Sequence, residues 1–507
     1  MAESIHKTEA EYTPHPIEFY QDNPLIEALP CYLEYGGIDI LKMLSASPER
    51  PHPEAGIRQR SEWLFQLSSN LFIPLVRHYE LASLITALIL QGYENRQPVN
   101  GQYVSILQRA YHERQQGNLD EDFGSSISYS PLMLSLIGAK GIGKTRALEQ
   151  VMNAMYPQVI HHNSPDMGAV FDQVVYLKAD VPSGSTVKTL CMSILSELSR
   201  VTGNSYADGI RKNTKLESLR SRLESLCNAH CVGIIILDEA QNLLGSQSPK
   251  TDKTELFNFI AEFSNTVNAP IIFAGTPKIL EICQQEMSGF GTMGCLQWDR
   301  MRYRDRDWNE FVGELWKYNV LPFEVPVIPE EIEETLYDLS QGIPDILVKL
   351  FILTQMRTLA VASELTEQGR SVLMYRDTIQ DVHDDCFGAV KPMTEILRSG
   401  DSGCMAKIAD MSLDYAAFDK AFEKAMKQES AIINENCDDS MYEEPDQKLL
   451  LAGMAEQLLL SMKVAVTDEI RNVIRQYLDE NEEAAVRDTV SAALDYVFRK
   501  TGSEQNG

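Results

Sequence analysis

From residue 131 onward, short apolar runs alternate with longer stretches whose apolar residues recur every three or four positions. LMLSLI (132–137), VVYLKAD (174–180), IIIL (234–237), IIFA (271–274) and LPFEV (321–325) have the length and content of strands. Between them, Leu148, Val151, Met152 and Met155 form one helical face that stops before Pro157. Val187, Leu190, Cys191, Ile194, Leu195 and Leu198 form a second, with Gly203 beyond its end, and Leu216, Leu219, Leu223 and Leu226 a third. Strands alternating with helices predict an α/β fold: a parallel sheet with helices on both faces.

The flanks follow a different pattern. Residues 1–125 read as a helical docking region. Its lead, YTPHPIEFYQDNPLIEALP, is rich in proline and aromatics, and Leu81, Leu84, Ile85, Leu88 and Ile89 then recur at helical spacing before Gly92. The polar loop GNLDEDFGSS (117–126) separates it from the α/β core at 126–326. Residues 327–398 return to helical periodicity as a lid, with Pro344 suited to a first helical position after Gly342. Residues 399–507 form an acidic helical tail, interrupted by NENCDDSMYEEPDQ (434–447), which is expected to be a linker or disordered. The chain contains no internal repeat.

Composition adds constraints. A chain of 507 residues accommodates about three domains, and 44% apolar with 23% charged residues is ordinary for a globular protein. No basic stretch leads into an apolar run at the N-terminus. The longest apolar stretch, Leu81 to Leu90, falls short of the ~20 residues that span a bilayer. A cytoplasmic protein without a membrane partner is expected. The nine cysteines show no even spacing and no CxxC pair. CNAHC offers Cys227, His230 and Cys231 as soft donors, but no second pair lies nearby, and buried thiols are the expectation.

A net charge of −28 argues against a polyanionic partner until it is located. Residues 131–325 carry 19 Lys+Arg against 21 Asp+Glu, whereas residues 401–507 carry 11 against 22. The acidity therefore sits mostly outside the core, where local basic patches remain able to hold DNA.

The chemistry lies at the ends of the apolar runs. GAKGIGKT, 138–145, fits GxxxxGK[ST] between a predicted strand and a predicted helix. In such a loop the backbone of Gly138, Ala139, Lys140, Gly141, Ile142 and Gly143 curls around phosphates at a helix N-terminus, with Arg146 just inside the helix. Lys144 neutralises the β- and γ-phosphates of ATP, and Thr145 offers a hydroxyl to Mg²⁺. In IIILDEAQNLL, Asp238 emerges at the end of a buried strand to hold Mg²⁺ through water, and Glu239 is the natural base for an attacking water. That second carboxylate favours hydrolysis over small-molecule phosphorylation. Thr276, ending IIFAGT, can orient the same water, although Gly275-Thr276-Pro277 also suits a simple turn. In LQWDRMRYRDRDW, Arg300, Arg302, Arg304 and Arg306 suit either an arginine finger reaching a neighbouring subunit, with Arg300 favoured, or local pairing with Asp299, Asp305 and Asp307.

These motifs together resemble the AAA+ ATPases, and more narrowly the TnsC-type ATPase regulators of Tn-seven-like transposons. The resemblance is carried by NPLIEALP, RHYELASLITALILQGYENRQP, VVYLKADVPSGSTVKTLC, IIFAGTPK, SGFG with the following WDR, and GIPDILVKLFILTQ. It covers roughly residues 10–360. It implies ATP-bound rings or helical filaments on double-stranded DNA, bound without sequence preference, that link a target-selector protein to transposase subunits, with hydrolysis driving disassembly. It also implies that Lys178, Thr186 and Lys188 face the DNA; a rival basic patch is Arg211, Lys212, Lys215, Arg220 and Arg222. The sequence departs from the family in two places. Asp345 stands where a lid arginine often senses the γ-phosphate, leaving Lys349, one turn on, as its substitute. QQEM precedes SGFG where related regulators carry basic residues. An oligomerising signalling ATPase and a replication-type helicase loader remain the alternatives.

Overall fold

The computed structural model describes residues 6–52, 55–94, 96, 132–164, 169–207, 210, 214–244, 250–279, 292–322, 325–362, 365, 372–400, 415–436, 447–462, 464–481 and 484–504. The loop at 117–126, SGFG, QQEM, Arg211, Lys212 and 437–446 of the expected linker lie outside the described residues. The chain divides into two compact units, Met1–Leu44 with Pro74–Asp299, and Ser45–Ile73 with Arg300–Gly507.

The first unit opens with a short strand, β1 (Lys7–Glu9), one helical turn, α1 (Pro24–Glu27), and α2 (Gly37–Leu44). The next helix, α3 (Ile57–Asn70), belongs to the second unit. The first resumes with α4 (Val76–Glu94), β2 (Met133–Gly138), α5 (Lys144–Met155), β3 (Val159–Ser164), β4 (Ala169–Val174) and β5 (Tyr176–Asp180). It continues through α6 (Val187–Thr202), α7 (Leu216–Ala229), β6 (Ile234–Asp238), α8 (Lys250–Val267), β7 (Ile271–Gly275) and β8 (Thr292–Trp298).

Five strands form a sheet in the order β5-β6-β7-β2-β8, and every neighbouring pair is parallel. The expected α/β class is therefore what forms. β2, β6 and β7 are buried at every position, which is why they read as unbroken apolar runs rather than as alternation. Leu190, Ile194 and Leu198 of α6, Leu219 and Leu223 of α7, and Phe259 and Phe263 of α8 pack into one core with Leu177, Ile235 and Ile271 of the sheet. Burying each such leucine or isoleucine contributes about 1.5–3 kcal/mol. Thr186 caps α6 with a reciprocal box to Thr189, which fixes where β5 hands over to the helix.

Two features differ from the sequence reading. No strand forms at residues 321, 322 or 325, and 323–324 are outside the described residues. The fifth strand, at the edge beside β2, is instead Thr292–Trp298. With Gly294, Cys295 and Gln297 exposed at the edge, TMGCLQW lacks the apolar run of a buried strand. A second sheet, β1-β3-β4, also went unread. In its strands VIHHNS and AVFDQV the apolar runs are broken by His162 and Gln173, which are buried against each other, Nε2 to Oε1 at 2.7 Å.

The second unit is helical: α9 (Arg306–Trp316), α10 (Glu330–Ser340), α11 (Pro344–Ala360), α12 (Arg376–Cys386), α13 (Lys391–Ser399) and α14 (Tyr415–Asn436). Pro344 does occupy the first turn of α11. That helix is buried almost all round, as a central helix must be. α3 packs against α11 and α14, which is why residues 45–73 group with the C-terminal half rather than with their sequence neighbours. α15 (Gln447–Ser461), α16 (Asp468–Glu480) and α17 (Val486–Glu504) share a core of their own around Ala455, Leu459, Ile474 and Ala493. Among the described residues, no helix is long and apolar enough to cross a membrane.

Candidate nucleotide site

The parallel register brings three strand ends to one edge of the sheet. Ile137 of β2 pairs with Gly275 of β7, and Leu237 of β6 with Phe273 of β7. Open α/β sheets bind ligands beyond these carboxyl ends. Here the ends carry Gly138, Asp238 and Thr276.

The loop leaving β2 turns through Gly141 and Gly143, at φ +79° and +96°. A side chain is strained in that region, so glycine is needed for the loop to close onto α5. Lys144 begins α5 and is 8% exposed. Its Nζ donates to the carbonyls of Gly138 at 2.7 Å and Ala139 at 3.0 Å. Burial pushes its pKa down to about 8, with Lys140 adding to the fall, while Asp238 and Glu239 pull the other way. The first-turn amides of α5 have no partner within the helix and favour an anion.

Asp238 is buried, and its Oδ1 accepts the Glu239 N–H at 2.8 Å. Glu239 sits at φ +52°, a conformation uncommon for a non-glycine residue, which turns its carboxylate out of the strand line. That carboxylate accepts a hydrogen bond from Gln241 Nε2. Gln241 Oε1 in turn accepts the Thr276 N–H at 3.0 Å. A Cβ on Gly275 would lie 2.3 Å from Gln241 Oε1, so glycine at that position is what lets the bridge form. The Thr276 hydroxyl is buried with no hydrogen-bond partner among the described residues.

Gln241 is the residue that sequence reasoning missed. It follows the carboxylate pair in a short 3-10 turn, Ala240–Leu244. Only the fold brings β7 within its reach, and the one local signal for it is an amide two positions beyond a candidate base. The donor set fits a magnesium nucleoside triphosphate: a glycine loop with a lysine and a helix N-terminus for phosphates, and hard oxygens on Thr145 and Asp238 for the cation. The Thr276 hydroxyl, buried without a partner among the described residues, adds a polar atom beside the same strand ends.

Other predicted residues are held elsewhere. Lys178 Nζ pairs with Glu149 Oε1 at 2.7 Å and lies 3.6 Å from Asp238 Oδ2 and 3.9 Å from Asp180. Thr186 is exposed at the cap of α6, and Lys188 donates to the Thr214 carbonyl at 3.2 Å. In the rival patch, Arg220 lies over the Phe259 ring.

Arg300 donates to the Gln341 backbone oxygen at 3.1 Å, to Gln341 Oε1 at 2.8 Å and to the Leu397 carbonyl at 3.1 Å. Arg304 pairs with Glu330 and Arg306 with Glu310. Arg302 is exposed, and its guanidinium makes no ion pair among the described residues. Lys349 Nζ donates to Asp345 at 2.8 Å and Asp419 at 2.5 Å, and lies over the rings of Tyr415, Phe418 and Phe422. Cys227 and Cys231 are buried, and His230 Nε2 lies 2.6 Å from the Tyr206 hydroxyl.

Residues 127–283 match the family model described as an AAA domain. No curated protein matches the chain. Among solved structures, the chain is similar to the Aeropyrum pernix ORC1 protein in complex with DNA, at 13% identity, 74% of this chain, 97% of that one and a TM-score of 0.34. It is also similar to Cdc6p from Pyrobaculum aerophilum, at 12% identity, 65% of this chain, 97% of that one and a TM-score of 0.32. A Walker-type ATPase of Pyrococcus abyssi matches at 16% identity, 65% of this chain, 94% of that one and a TM-score of 0.31. With the matched segment carrying the glycine loop, the Asp238–Glu239 pair and the β7 end, the chain contains an AAA+ P-loop domain.

Proposed function

We propose that this protein is an ATP-hydrolysing, DNA-binding regulator of transposition that assembles as a ring or filament on duplex DNA, links a target-selector protein to transposase subunits, and is released by hydrolysis. Hydrolysis is supported by one observation above the others: the hydrogen-bonded chain from Glu239 through Gln241 to Thr276, beside Asp238. A site that only bound nucleotide would have no need to fix a second carboxylate. The transposition reading is supported by the TnsC-like sequence runs over residues 10–360.

Bound magnesium ATP supplies the reactive γ-phosphoryl group and a divalent charge. Around it, Lys144 and the loop amides neutralise phosphate oxygens, and Thr145 and Asp238 hold the cation. Glu239 takes the proton of the attacking water, and the Thr276 hydroxyl orients that water. An arginine of a neighbouring subunit, Arg300 or Arg302, completes the charge balance. Lys178, Thr186 and Lys188 contact the DNA backbone without reading bases. For Lys178 that contact exchanges Glu149 and Asp238 for phosphate, which would couple DNA to the nucleotide site.

The test is duplex binding by the full chain with a non-hydrolysable ATP analogue and with ADP, across salt concentrations, together with negative-stain microscopy. Tight binding with the analogue alone, steep weakening with salt and visible rings or filaments are expected. Equal affinity in both nucleotide states overturns the switch. Assembly on a replicative helicase with no duplex binding replaces it by the helicase-loader reading.

A further inference from the structure

Exposed apolar side chains are concentrated near the start of the chain. Phe19 is 66% exposed, Leu33 53%, Tyr35 48% and Ile38 71%, and Tyr79 of α4 is exposed beside them. Leu33, Tyr35 and Tyr79 line one cleft of about 240 Å³ with Leu29 and Pro30. The Tyr79 ring covers Gly37, where a Cβ would lie 3.7 Å from it, so Ile38 continues the same surface. Beneath them Ile26, Ile40, Ala82 and Ile89 are buried and hold the floor fixed. Soluble proteins rarely leave such a grouping uncovered unless something docks there.

The charge around the cleft is one-sided. Residues 8–41 contain seven Asp and Glu and not one Lys or Arg. Glu34 stands between Leu33 and Tyr35, Asp39 follows Ile38, and Glu80 follows Tyr79, all three exposed. The bases flanking these stretches in sequence are Lys7, paired with Asp172, Lys42 in the second turn of α2, and Arg77, whose guanidinium lies over the Trp298 ring and donates to the Asp299 carbonyl. DNA is excluded by this field, and an anionic membrane surface equally so.

We propose that this cleft is a docking site for a basic amphipathic segment of a partner protein, apolar anchors filling the space between Leu33, Tyr35 and Tyr79, and lysines or arginines meeting Glu34, Asp39 and Glu80. Large apolar anchors in a pocket carry the affinity, and the acidic rim sets partner choice and on-rate. The cleft stands on the far end of α5, the helix that begins at Lys144: Tyr32, in its lining, donates its hydroxyl to the Met155 carbonyl. The docking site is independent of whether the nucleotide is hydrolysed.

The experiment uses the full chain and a synthetic 16-residue helical peptide with leucines and a phenylalanine on one face and four lysines on the other. A control peptide carries glutamates in place of the lysines. Binding is followed by fluorescence anisotropy, and the footprint by hydrogen exchange. Ile38→Asp, at a position exposed enough to leave the fold intact by circular dichroism, should weaken the lysine peptide at least tenfold. Glu34→Lys with Asp39→Lys should weaken it as much and flatten its salt dependence, and protection should map to residues 29–42 and 79–90. Unchanged binding by Ile38→Asp, equal binding of the glutamate peptide, or protection confined to α15–α17 overturns the proposal. A self-association in sedimentation that Ile38→Asp abolishes also overturns it, because the occupant would then be a second copy of this chain.

Discussion

The amide of Gln241 joins Glu239 to Thr276, donating from Nε2 to the Glu239 carboxylate and accepting the Thr276 N–H at 3.0 Å on Oε1. The candidate base is thereby tied to the end of the neighbouring strand. Without the amide, Glu239 keeps its backbone position but gains rotamers that point away from a bound phosphate. Gln241→Ala is expected to lower the ATP turnover number about 10- to 100-fold, within the usual range for general-base positioning, while nucleotide affinity changes less than about twofold. Gln241→Glu places a second carboxylate against Glu239, so one of the pair holds its proton to higher pH and the acid limb of the rate profile moves up. Glu239→Gln serves as the reference. If Glu239→Gln is inactive and Gln241→Ala turns over normally, the bridge is structural only.

Nucleotide affinity should depend on pH through Lys144. Burial holds its pKa at about 8 in the free protein, and phosphate binding favours the charged form. Affinity is therefore expected to be flat below about pH 8 and to fall by up to tenfold per unit above it. Calorimetry at pH 8.5 in buffers of different ionisation heat should register proton uptake on binding. Lys144→Arg, which does not titrate in this range, should lose both signatures. The same shift has the opposite sign for the unliganded fold: a lysine with a depressed pKa destabilises the folded state when charged, so this contribution improves as pH rises from about 8 toward the unfolded value near 10.4. A pH-independent affinity for the wild type would detach Lys144 from the phosphates.

The arginine loop separates two roles. Arg300 makes three hydrogen bonds to Gln341 and Leu397, so Arg300→Ala should cost about 1–3 kcal/mol of stability. Arg302 is exposed, and its removal should leave the melting temperature unchanged. Mixing Arg302→Ala subunits with Lys144→Ala subunits should restore part of the ATPase activity, because each supplies what the other lacks across an intersubunit site. Recovery from the Arg300→Ala mixture instead would return the trans role to Arg300.

How far the sequence could be read depended on how local each signal was. The glycine loop, the Asp238–Glu239 pair and Thr276 were legible because each sits where an unbroken apolar run meets a turn. β8, at the edge of its sheet, and the β3–β4 pair were not, since strands carrying glycine, histidine and glutamine lack that pattern. The positions of Lys178 and Lys349 were visible, but their engagements were not. Lys178 meets Glu149 from 29 residues away, and Lys349 meets Asp419 from 70 residues away. Partners at such separations are chosen by packing, which no local period encodes.

Lys349 tests that difference directly. Its ammonium lies between Asp345 and Asp419 and over three rings of α14. Asp345 is itself held above the usual carboxylate range by burial, with Lys349 opposing that rise. An acid with a raised folded pKa gives stability that is fully present below its unfolded value and lost as pH rises through the folded one. Lys349→Ala removes the opposing charge, enlarges the rise and deepens that loss. The variant should be destabilised by about 1–3 kcal/mol at neutral pH, and by visibly less near pH 4. Adding Asp345→Asn removes the half-buried charge and should recover much of the stability, a coupling that a double-mutant cycle measures. If Lys349 serves the helical unit alone, the double variant should bind and hydrolyse ATP within about threefold of wild type. A selective loss of response to the γ-phosphate, with stability restored, would instead make Lys349 the cation that senses it.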